Sequence, residues 1–148
     1  MRLRSEALLE AKGQRPRIFV LNLGKAEQYR PRASFVRNLL AAGGIEAVLS
    51  EGFDDPDKAV AAFAETGLAA VILCGGDQVY PRLVPEVAPR IKALGARRVI
   101  LAGHPEDREP KLRQGGIDSF IFRGCDVLSF LERLYLDLDL EQDREVEV

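Results

Sequence analysis

The chain carries no excess of either charge: 21 basic side chains are set against 23 acidic ones in 148 residues, a formal balance of -2. That leaves no electrostatic footprint for nucleic acid or an anionic membrane surface. No apolar run approaches the ~20 residues needed to span a bilayer, and nothing resembles a secretory signal with an apolar core. The two cysteines, Cys74 and Cys125, lie far apart and fit no paired metal spacing, so a reducing cytoplasm is the expected setting. Two nucleotide signatures are also missing. No glycine-rich turn delivers a lysine and a hydroxyl residue to a helix start, which excludes a P-loop. Only Gly24 follows the first apolar run before Arg30-Pro31-Arg32, where a dinucleotide fingerprint needs three spaced glycines.

What is present is an alternation of apolar runs and amphipathic stretches, with 47% hydrophobic residues, enough for one domain with a full core. The runs are Ile18 to Leu23, Ile45 to Leu49, Leu68 to Cys74, Arg98 to Ala102 and Ser119 to Phe122. Helical spacing follows each of them. Ala33 to Ala42 sets Phe35, Val36, Leu39 and Leu40 on one face and stops at Gly43-Gly44. Asp55 and Pro56 open a second helix as cap and first-turn residue. A third runs through Val84, Val87, Ile91 and Leu94, and its Pro85 and Pro89 each remove a helical hydrogen bond at a cost of roughly 3 kcal/mol if interior, so a late start or a kink is expected. Asp107 to Gln114 reads as a short polar helix, and a last helix is expected from about Asp126 to Leu136.

Runs this rich in Val, Ile, Leu and Phe imply strands buried on both faces, hence a parallel sheet covered by helices. With right-handed crossovers the expectation is a flavodoxin-like, doubly wound α/β domain with strand order 2-1-3-4-5. Its boundaries are placed at 15–136. Residues 1–14 read as a helical arm or linker with Leu3, Ala7, Leu8 and Ala11 in one stripe, either the tail of a preceding domain or a docking segment; 137–148 read as an acidic tail.

In such a sheet a ligand sits beyond the carboxyl ends of the strands where their order reverses. The stretch after the first strand is therefore expected to be a site loop, with Tyr29, Arg30 and Arg32 as possible lining residues. A phosphoacceptor receiver domain would place paired carboxylates after strand one and an aspartate at the end of strand three. Asn22 and Cys74 stand there, and Arg123 replaces the lysine expected after strand five. Cys74 is read as a reactive thiol or a buried small side chain, and Gly75-Gly76 as an anion-binding turn or a plain tight turn.

Five segments, RPRIFVLNLG at Arg15 to Gly24, AGGIEAV at Ala42 to Val48, VILCGGDQVYPRLVPEV at Val71 to Val87, ALGARRVILAG at Ala93 to Gly103 and GGIDSFIFRGCDVLSFL at Gly115 to Leu131, occur in the order found in a known family. The chain resembles the carboxyl-terminal cobalamin-binding domain of methylmalonyl-CoA mutase, and more closely the corresponding domain of that enzyme's small, non-catalytic subunit. Cobalamin-binding members carry Asp-x-His-x-x-Gly after the first strand, with the histidine as lower cobalt ligand and the aspartate orienting it. The resemblance puts Ala26, Gln28 and Pro31 at those three positions. The serine and leucine that meet the nucleotide tail correspond to Cys74 and Gly76, beside Gly75, and the glycine pair after strand four to Gly103-His104. With Gly24 and Gly124, these make up a vestigial pocket.

The resemblance thus implies a structural or assembly domain that binds no cobalamin itself, in a heterodimer whose large subunit holds adenosylcobalamin and performs the isomerisation. Two alternatives stand beside it: a cobalamin carrier of unorthodox or base-on mode, with His104 as a relocated ligand or a simple loop histidine, and a small-ligand or anion-binding regulatory module in the vacant crevice.

Overall fold

Five apolar runs become five parallel strands in a computed structural model that describes residues 17–134. The proposed arm over 1–14 and the tail over 137–148 lie outside the described residues. In chain order the elements are β1 (Arg17–Leu23), α1 (Ala26–Ala42), β2 (Glu46–Phe53), α2 (Pro56–Thr66), β3 (Ala70–Cys74), α3 (Tyr80–Ala93) and β4 (Arg98–Ala102). A 3₁₀ turn (Glu106–Arg108), α4 (Glu109–Gln114) and β5 (Ser119–Ile121) follow, and α5 runs over 127–134 to the last described residue. The sheet order is β2-β1-β3-β4-β5, as expected, and every pairing is parallel.

The two faces of the sheet carry separate cores. On one, Phe19, Leu21, Val71, Leu73 and Leu101 pack under Phe63 of α2 and Leu83, Val87 and Ile91 of α3. On the other, Ile18, Val20, Ile72 and Ile100 pack under Val36, Leu39 and Leu40 of α1 and Leu131 and Leu134 of α5. Strand β3 is buried at all five positions, which is why its sequence reads as an unbroken apolar run. No helix among the described residues is long and apolar enough to cross a membrane.

The expected cap of α2 is found: Asp55 accepts a hydrogen bond from Asp57 N at 2.9 Å, with Pro56 in the first turn. Elsewhere the boundaries move for identifiable reasons. Helix α1 starts at Ala26 rather than Ala33, so the expected site loop is nearly all helix. Gly24, at φ +84°, ends the strand, and Lys25 O accepts from Gln28 N and Tyr29 N to nucleate the first turn. Pro31 lies inside the helix, exposed, where water can solvate the carbonyl its missing N–H would have bonded. Strand β2 runs on to Phe53 because Asn22 holds it past a register shift, its N donating to Ser50 Oγ at 2.9 Å and its Nδ2 to Ser50 O at 2.7 Å. Strand β3 begins two residues late, since Leu68 N is taken by Thr66 Oγ1 at 3.1 Å in the exit of α2.

Helix α3 shows no late start. It is continuous from Tyr80 through Pro85 and Pro89. Spaced four apart, Pro81, Pro85 and Pro89 fall on one exposed stripe, so the unpaired carbonyls meet solvent while Leu83, Val84, Val87, Ala88 and Ile91 face the core. Replacing the exposed Pro89 with alanine restores one backbone donor, and Pro89→Ala is expected to raise unfolding free energy by about 2 kcal/mol, net of the entropy proline removes from the unfolded chain. A urea midpoint equal to or below that of the parent would contradict this placement.

Candidate functional site

The order reversal between β1 and β3 places the carboxyl ends of β1, β3 and β4 around one crevice. What fills it comes from the chain itself. Arg32, one helical turn beyond Gln28 on α1, sends its guanidinium across the end of β3: Nη1 donates to Gly75 O at 2.7 Å and Nη2 pairs with Asp77 Oδ1 at 2.8 Å. The same group lies 5.5 Å from the centroid of the Tyr80 ring, and a Cβ built at Gly103 would sit 3.4 Å from its Cζ. Tyr80, 3% exposed, joins the strand ends from beneath, its hydroxyl accepting from Gly75 N at 3.0 Å and donating to Ala102 O.

Gly75 is required by this packing, because a Cβ there would meet Val79 Cγ1 at 2.8 Å and Leu23 O at 2.9 Å. Gln28 reaches over the same rim, its Oε1 3.2 Å from where a Cβ at Gly76 would lie and 3.7 Å from one at Gly24. The vestigial positions Gly24, Gln28, Cys74, Gly75, Gly76 and Gly103 are therefore brought together. Ala26, in the first turn of α1, is not in this cluster, and Pro31 lies at its edge, in a groove of about 400 Å³ that Arg32 and Gly103 line together with Phe35, His104 and Phe122. Gly124, at φ +92° with open space around it, stands apart.

His104 is exposed; its Nδ1 accepts from Glu106 N at 3.0 Å and its ring meets Phe122 edge-on at 4.6 Å. Cys74 is fully buried at the end of β3 and paired in register with Asn22. Burial pushes its thiol up to about 12, with the Arg32 guanidinium pulling weakly the other way. The protonated thiol is a packing group at neutral pH rather than a nucleophile. Burial likewise raises the Tyr80 hydroxyl above its ordinary range. Among the described residues no group of three or more His, Cys, Asp or Glu side chains is placed to hold a metal ion.

Arg32 was visible in sequence only as a possible lining residue, while Asp77 and Tyr80 gave no signal. The apolar series Tyr29, Ala33, Val36, Leu40 would have extended α1 backwards and aimed Arg32 inward, but Pro31 masks it.

This architecture and this rim define a flavodoxin-like α/β domain whose switch-point crevice is occupied by its own side chains. Solved structures agree on the fold: a CheY-like protein (tadZ) from Pseudomonas aeruginosa at TM-score 0.59 and 16% identity, covering 82% of this chain and 94% of that one, and a two-component response regulator from Clostridium difficile at TM-score 0.57 and 10% identity, covering 84% and 97%. Identities this low speak for fold alone. No family model matches. Among curated proteins, the methylmalonyl-CoA mutase small subunit of Streptomyces virginiae is 40% identical over 131 residues, 88% of this chain and 20% of that protein. The probable small subunit from Mycobacterium bovis is 38% identical over 104 residues, covering 70% and 17%, and that of Propionibacterium freudenreichii subsp. shermanii is 29% identical over 120 residues, covering 80% and 19%. The chain is a homologue of one domain-sized part of the methylmalonyl-CoA mutase small subunit, and it spans about a fifth of the length of these relatives.

The buried thiol makes stability pH-dependent. Its folded value lies above the ordinary 9.0 at about 12, so above pH 9 the unfolded chain releases a proton that the folded one keeps. Stability should be flat below about pH 9 and fall toward pH 12, by at most about 1.4 kcal/mol per pH unit from this group, with Tyr80 adding to the loss above its ordinary 10.0. Urea midpoints taken from pH 8 to 11 should fall less steeply in Cys74→Ala than in the parent. Parallel slopes would show that the thiol is not shielded.

Proposed function

We propose that this chain is a structural domain of a methylmalonyl-CoA mutase-type small subunit, keeping the cobalamin-binding fold without binding cobalamin. The observation that carries the reading is the Arg32 guanidinium seated between Gly75 O, Asp77 and Tyr80 where a ligand would enter. The residues at the rim do not suit the cofactor. Lower ligation of cobalt calls for an imidazole nitrogen over the end of β1, and the corresponding residue is Gln28, an exposed amide on α1. The one histidine, His104, has its Nδ1 engaged by Glu106 N–H at 3.0 Å on the neighbouring loop.

Homology to proteins named small subunits favours association with a larger subunit. That partner, in this reading, holds adenosylcobalamin and carries out the isomerisation, and this domain contributes surface and stability to the heterodimer. Both cysteines are free thiols, in keeping with a reducing cytoplasm.

Two measurements test the proposal together. Titration of the full chain with hydroxocobalamin should give no change in visible absorbance and no pigment retained after desalting, whereas stoichiometric retention would establish a carrier with an unorthodox mode. Co-expression with a methylmalonyl-CoA mutase large subunit should give co-elution at the mass of a heterodimer; separate elution would remove the assembly role.

A further inference from the structure

On the sheet face opposite α1 and α5, a cleft of about 250 Å³ opens between α3 and the segment running from His104 to Gly115. It exists because α4 is only six residues long and buries none of them fully, so Leu112 alone represents that helix at the edge of the core. Its walls are apolar: Val84, Leu101, Leu112 and the Tyr80 ring, with Pro81 and Pro85 forming a stiff side that offers no N–H. The Tyr80 hydroxyl is already spent on Gly75 N and Ala102 O, leaving the ring as its contribution.

The polar side chains at the cleft are of one kind. His104, Arg108 and Lys111 line it, and no carboxylate does among the described residues. Glu106, Asp107 and Glu109 alternate with these cations along the chain but do not line the cleft. Arg108 and Lys111 make no ion pair with any described residue, unlike Arg82, Arg90, Lys92 and Arg113. An apolar slot with two uncommitted cations at its mouth complements a ligand with an apolar body and one anionic end.

We propose that this cleft binds a small amphipathic carboxylate, its tail against Val84, Leu101 and Leu112 and its carboxylate at Arg108 and Lys111. The volume suits about eight to ten non-hydrogen atoms, taking the ~30 Å³ share of one liquid water as the unit. The cleft adjoins the Arg32 crevice, sharing Tyr80 and Gly103 with it, and its occupation does not depend on the assembly role.

The test is a titration of the ¹⁵N-labelled full chain with sodium octanoate, followed amide by amide. Saturable shifts centred on Val84, Leu101 and Leu112 are expected, with affinity about tenfold or more weaker for octan-1-ol, which has the same tail and no charge, and for the double variant Arg108→Gln/Lys111→Gln. Both replaced side chains reach the surface, so the variant's melting temperature should stay at the parent value while binding is lost. Shifts that do not saturate, that map elsewhere, that octan-1-ol reproduces at equal affinity, or that survive in the double variant would overturn the proposal.

Discussion

One guanidinium determines how the ligand end of this domain is built. Arg32 bridges α1 to the β3–α3 turn through Gly75 O and Asp77, and covers the Tyr80 ring that joins Gly75 to Ala102 at the end of β4. Its value lies less in the ion pair, since Asp77 is 65% exposed and water screens it, than in the charged hydrogen bond to Gly75 O, a class worth about 1.5–3 kcal/mol. Partly buried, the cation needs these partners. The glycines around it have their own causes: a Cβ at Gly75 would meet Val79 Cγ1 at 2.8 Å and Leu23 O at 2.9 Å, and Gly103 holds φ +145°, which favours glycine.

The parts of the fold that could be read in the sequence are those set by local patterns: five apolar runs, the Asp55-Pro56 cap and the parallel sheet implied by strands without polar alternation. The errors fall where a tertiary environment overrides a local penalty. Pro31, Pro85 and Pro89 argue against helix in sequence, yet each faces solvent on a helix whose other side is anchored in the core. The candidate site was legible as a set of glycines and substituted positions, but not as a closed crevice. Arg32 and Tyr80 lie 48 residues apart in a sequence that gives no hint of their stacking, and the positions corresponding to Ala26 and Pro31 turned out to lie on a helix.

Fold and site therefore carry different information. The receiver-type structures share the architecture at 10–16% identity, while the positions where receiver chemistry needs carboxylates hold Asn22 and Cys74, facing one another in the β1–β3 ladder. Function follows the site rather than the scaffold. Sequence homology points instead to one domain-sized part of the mutase small subunits.

The closed crevice is tested most directly by the arginine side-chain resonances of the ¹⁵N-labelled protein. If Arg32 is clamped, rotation of its guanidinium is slow and its two Nη groups give separate signals, unlike the single averaged signal of exposed Arg37. Averaged Arg32 signals in the parent, indistinguishable from those of Arg37, would contradict it and leave the switch point open.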